Sequence, residues 1–201
     1  MKIRYLNIVF LAALCAACRP GTVHPDQYAD WYNRNLQTLT AQKNLGATRW
    51  TAAYIPAEIL ALREYRPQEG PGLSDVLASY KEAEYYLLSI SAKDSISPVL
   101  TLSSEPQNDY SQAVTYFSYE FQPQIQLIRD GDTLASTLYH FEQSMATQTK
   151  IEFLLAFPPA TQAHETRVLR IEDRYFGLGP VNISLPSRDI NQVPTLTIVK
   201  P

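Results

Sequence analysis

The chain has 201 residues, 45% of them apolar and 18% charged, with a net charge of −3 and 13 tyrosines against 7 glycines. That length supports one domain with a sizeable core. The acidic balance and the lack of any Lys/Arg-rich run exclude a nucleic-acid partner, because phosphates demand clustered cations.

Met1-Lys2-Ile3-Arg4 supplies a short cationic start, and Tyr5 to Leu14 then forms an apolar stretch broken only by Asn7. A membrane-spanning helix needs about 20 apolar residues, so this shorter stretch reads as the core of an export signal. Small residues at Ala16 and Ala17 precede Cys18, after which Arg19-Pro20-Gly21 turns polar. Leu14-Cys15-Ala16-Ala17-Cys18 resembles the bacterial lipobox, with one departure: Leu14 stands one place earlier than the lipobox leucine, whose place Cys15 takes. The resemblance implies a signal peptide over 1–17, cleavage before Cys18, and acylation of Cys18 as a palmitate-bearing lipid anchor. The other reading is a plain secretory signal cut after Ala17, leaving Cys18 as a free thiol. Loss of Lys2 and Arg4 takes the net charge from −3 to −5. Cys15 and Cys18 are the only cysteines, so disulfide, cysteine-protease, thioredoxin-like and zinc-cysteine chemistry are closed to the mature chain. With Arg19 rather than aspartate after the acceptor, the resemblance implies an exported envelope protein of the outer rather than the inner membrane.

Residues 18–25 read as a tether, and 26–82 as an N-terminal helical or mixed segment. Asp26 is a candidate helix cap, followed by Tyr28, Trp31, Tyr32, Leu36 and Leu39 at helical spacing, with Gly46 as the stop. Thr48 to Ile55 reads as a strand with Trp50, Ala52 and Tyr54 on one side. Pro56 then opens a helix over 57–65. Arg66 to Gly72 is a loop, and Leu73 to Glu82 is helical by the spacing of Leu73, Val76, Leu77 and Tyr80.

Residues 83–201 read as an antiparallel β domain. Candidate strands are 84–91, 99–102, 114–121, 124–129, 133–142, 150–157, 167–174, 181–185 and 195–199, separated by Pro, Gly, Asn or Ser. Asp130-Gly131 marks a hairpin, a cheaper account of Asp130 and Asp132 than a calcium loop. Gly177-Leu178-Gly179 reads as a tight turn. The expected class is mainly β (α+β): an antiparallel sandwich preceded by a short N-terminal helical segment. The hairpin, the apolar run Ile151 to Pro158 and the closing strand resemble the Ig-like β-sandwich domains of uncharacterised bacterial envelope lipoproteins. That resemblance covers about the last 90 residues and carries no active site.

No catalytic motif stands out. His24 lies in the tether and His164 in a loop, while His140 and Glu142 share one strand face without a third metal ligand, so no metal or cofactor is expected. Asp109, Glu120, Glu142, Glu152, Glu172 and Asp173 offer carboxylates for a hydrolase, a remote reading. No Gly-x-Ser-x-Gly or phosphate-binding glycine loop occurs. With 114–121 as a strand, Phe117, Tyr119 and Phe121 form a core face. Tyr116, Ser118 and Glu120 form the other, making Tyr116 and Glu120 candidate recognition residues. The expectation is a non-enzymatic, lipid-anchored envelope protein that contacts a protein partner in a periplasmic or surface assembly. The alternative is a glycan- or peptidoglycan-binding lipoprotein.

Overall fold

The computed structural model describes residues 21–68, 70–104, 110–142 and 149–198. The expected export signal and Cys18 lie outside these residues, as does Asp109. The fold is mainly β of the α+β class, built on antiparallel sheets with a few helices. Strand β1 (Thr22–Val23) pairs in parallel with the last strand, β11 (Thr195–Leu196). The expected tether is therefore shorter than 18–25, because its last part is already paired to the body.

Helix α1 (Pro25–Asn35) starts with proline in its first turn, where the missing N–H costs nothing, and its cap is His24 rather than Asp26. Tyr28 and Tyr32, four residues apart, are its buried face. The helix ends about ten residues before the expected stop at Gly46. Thr40–Leu45 forms β2 instead, pairing antiparallel with β3 (Thr48–Ile55). Gly46, at φ +53°, sits in the tight turn between these strands. Tertiary pairing thus overrides a helical spacing that Leu39 satisfies equally well as a buried turn residue.

Helices α2 (Ala57–Glu64) and α3 (Leu73–Tyr80) follow, then β4 (Glu84–Ala92), all near their expected bounds. Two expected strands are helical. Val99–Leu102 is a 3₁₀ turn, and residues 114–121 lie in α4 (Tyr110–Thr115), a π-helical turn (Tyr116–Glu120) and the residue that ends it. Phe121 N–H donates to Tyr116 carbonyl at 3.0 Å, the i to i+5 bond of that turn. Beyond a 3₁₀ turn (Gln122–Gln124), β5 (Ile125–Arg129) and β6 (Asp132–Ala135) form the expected hairpin. Asp130 and Gly131 both take positive φ, 48° and 97°, which matches the right-handed twist of the strands they join. The expected strand 133–142 is two strands in different sheets: after β6 the chain crosses over and β7 (Leu138–Phe141) joins the other sheet. The remaining elements are β8 (Lys150–Phe157), β9 (Arg167–Asp173), β10 (Gly179–Ser184) and a single helical turn, α5 (Ser187–Ile190).

A five-stranded sheet, ordered β2-β3-β4-β8-β7, and a four-stranded sheet, ordered β10-β9-β5-β6, share one core. The period of two sends Trp50, Tyr86, Leu88, Ile90, Ile151, Phe153 and Leu155 inward from the first, and Leu127, Leu169, Ile171, Val181 and Ile183 from the second. Phe117 and Phe121 enter from the helical segment, their rings 5.6 and 5.1 Å from that of Phe153. Strands β2 and β3 belong to the same sheet as β4, so the division expected near residue 83 falls within one sheet and one core.

Candidate functional site

Charged residues stand at inward-facing positions where three strands begin or end. Glu84 opens β4 on the same face as Tyr86 and Leu88. Arg129 closes β5 in line with Ile125 and Leu127, and Arg167 opens β9 in line with Leu169 and Ile171. The alternation that buries their neighbours therefore buries them too. Arg129 Nη1 donates to Glu84 Oε2 and Arg167 Nε to Glu84 Oε1, both at 2.9 Å, joining one sheet to the other. Further guanidinium donors are also engaged. Arg129 reaches the carbonyls of Pro158 and Pro159, at 3.1 and 3.3 Å, and Arg167 Nη1 reaches Asn191 Oδ1 at 3.0 Å.

A cleft of about 520 Å³ opens beside this triad. Tyr54, Glu58, Lys81, Glu84, Arg167 and Asn191 supply its polar lining, with the loop 159–163 as one wall and the segment around Val193 and Thr195 as another. Glu58 stands in the first turn of α2 with its side chain only 8% exposed, and Lys81 Nζ lies 3.5 Å from its Oε1. The Tyr54 phenol is pushed up by burial first, then by the negative charges of Glu84 and Glu58. Its ring meets Tyr86 edge-on, with centroids 5.6 Å apart. The Tyr86 hydroxyl is buried without a hydrogen-bond partner among the described residues.

His164 links the loop to the Asp130 turn. Its Nδ1 lies 2.8 Å from Asp130 Oδ2, and its carbonyl accepts from Asn191 Nδ2 at 2.8 Å. Thr166 N–H also donates to Asp130 at 2.8 Å. That bond first, and His164 second, hold the Asp130 carboxyl below its ordinary range.

The residues expected to recognise a partner lie elsewhere. Because 116–120 is helical rather than extended, Tyr116 turns onto the core. Its ring lies 5.0 Å from Phe117 and 5.5 Å from Tyr175, and its hydroxyl donates to Gln124 at 2.9 Å. Glu120 is exposed on the same helical segment, and neither residue lines the cleft. Tyr119, expected in the core, is 79% exposed. His140 and Glu142 border a separate depression of about 420 Å³ with Ser118, Tyr139 and Phe141. Among the described residues no three His, Cys, Asp or Glu side chains are gathered to hold a metal ion. The candidate carboxylates are dispersed. Glu152 pairs with Lys150, Glu172 pairs with Arg170, and Asp173 is buried, accepting from Phe176 and Leu178 N–H groups.

The cleft was missed in the sequence because Glu58, Lys81 and Asn191 come from three distant segments. Glu84, Arg129 and Arg167 did leave a signal: each occupies a position where strand alternation calls for an apolar residue. Comparison with known proteins finds no matching family model, curated protein or solved structure.

Proposed function

We propose that this is a lipid-anchored envelope protein whose β domain is a non-enzymatic binding module, with the cleft beside Glu84 as its binding site. The concave polar cleft carries this reading. Its volume falls within the range of about 300–1,000 Å³ typical of small-molecule sites, and polar groups converge on it from separate elements. Most of its charges are held in ion pairs, an arrangement suited to holding and orienting a ligand rather than moving protons. The export signal and the lipobox-like sequence ending at Cys18 support the location.

Capture from detergent-solubilised envelope tests the module. Wild-type protein is expected to retain a ligand or partner that Lys81→Glu and Asn191→Ala variants lose. Recovery of nothing, or equal recovery by the variants, refutes the assignment. Palmitate labelling that disappears in Cys18→Ser is the expected result for the anchor, and an unlabelled wild type removes it.

A second reading, contact with a protein partner, draws on the outer face of the five-stranded sheet. There Tyr85, Leu87 and Leu154 are half-buried and Leu138 is exposed.

A further inference from the structure

We infer that the cleft binds a neutral polyhydroxylated ligand, a sugar, with the Glu58 carboxylate as its principal acceptor. This rests on the reading of the cleft as a binding site and assigns the chemistry of its occupant. The Glu58 side chain is more than nine-tenths buried, yet its only polar contact among the described residues is Lys81 Nζ at 3.5 Å, and Lys81 is itself half exposed. No hydrogen bond from another described residue reaches the carboxylate. A carboxylate has about four lone-pair sites, and buried polar groups are almost always satisfied, so this one awaits donors from within the cleft. Tyr54 stands on the same lining.

The charges choose among donors. Among the charged residues of the lining, Glu58 and Glu84 stand against Lys81 and Arg167, two carboxylates against two cations. A charged ligand of either sign would unbalance that set, whereas hydroxyls donate without bringing charge. Vicinal hydroxyls donate to Glu58 and accept from Lys81 and Tyr54. Ala57, Ala163, Ile190 and Val193 offer apolar surface to the C–H face of a sugar ring. A site of this kind combines apolar walls with a few fixed polar groups.

The test is calorimetric titration of the full-length lipidated protein in detergent. Probes are glucose, galactose, mannose and N-acetylglucosamine, with spermidine as the cationic arm and glutarate as the anionic arm. At least one sugar is expected to bind. Glu58→Gln, which replaces one acceptor oxygen with a donor, is expected to weaken it tenfold or more at an unchanged melting temperature. Lys81→Met, a variant at the cleft mouth that leaves the core intact, is expected to weaken it less. Spermidine or glutarate binding more tightly than every sugar, no binding by any probe, or an unaffected Glu58→Gln variant overturns the inference. If sugars fail while cleft variants still abolish capture from solubilised envelope, only the ligand class falls; if both fail, the cleft is not the binding site.

Discussion

Glu84→Gln is the sharpest perturbation of this fold. The carboxylate accepts one charged hydrogen bond from each of two buried guanidiniums, at 2.9 Å in both cases. A glutamine of the same shape can accept from only one of them, and its amide presents donors to the other. Removing one partner of a buried ion pair costs about 3–5 kcal/mol, because the opposite charge stays behind uncompensated. Here the remaining bonds of Arg129 to the Pro158 and Pro159 carbonyls, and of Arg167 to Asn191, soften the loss, so the lower end of that range applies. For a domain of this size 1 kcal/mol moves the midpoint by about 2–4 °C, so a fall of roughly 6–12 °C is expected. Urea unfolding followed by tryptophan fluorescence reads it directly, since Trp50 is fully buried. An unchanged m-value would locate the effect in the native state. A Glu84→Gln variant within about 1 kcal/mol of wild type would refute the view that the triad is a charged strut between the sheets.

Gly177→Ala is expected to destabilise by about 1–3 kcal/mol, because φ is +72° there and a Cβ would lie 2.8 Å from Ser104 Cβ; chemical denaturation measures it. The Asp130 carboxyl is held below its ordinary value of 3.8, so its contribution is fully present above that pH and is lost as pH falls through the depressed value. Asp130→Asn is expected to remove that part of the acid limb of a stability–pH curve, and an unchanged limb would count against the turn-to-loop contact. Tyr116→Phe is expected to cost about 0.5–1.5 kcal/mol, one hydrogen bond to Gln124, while leaving capture by the cleft untouched. A loss of ligand in that variant would restore the recognition role expected from the strand reading.

What could be read from the sequence follows physical lines. Strands whose inward residues alternate cleanly, such as Thr48–Ile55 and Lys150–Phe157, lie where the period of two places them. The Asp-Gly hairpin was legible because both positions need positive φ. The segment 110–121 misled because its aromatic density favours strand, while Ala113, Phe117 and Phe121, each four residues apart, carry the helical period that won. The crossing between β6 and β7 was not legible, since the change of sheet at Ser136–Thr137 leaves no break in the local pattern. For the site, spacing could expose the three misplaced charges but not their meeting. Glu84 and Arg167 stand 83 residues apart, and only the facing of two sheets unites them.

The placement of the triad argues for a role beyond stability. Apolar residues of similar volume stabilise a core at least as well as a buried ion triad, often by about 1–4 kcal/mol more, so stability alone gives little reason for three charges here. Their spare donors supply one. Arg129 holds the carbonyls of Pro158 and Pro159, where the loop 159–163 begins, and Arg167 holds Asn191, ahead of the wall at Val193 and Thr195. Both cleft walls are thus fixed by the cations that meet on Glu84. Replacing all three together, Glu84→Leu with Arg129→Met and Arg167→Met, should therefore separate the two roles. Stability is expected to stay within about 1 kcal/mol of wild type or to rise, while capture by the cleft is lost. A triple variant that keeps both would show that the walls stand without the triad, and one that unfolds would show that the charges themselves hold the sheets together.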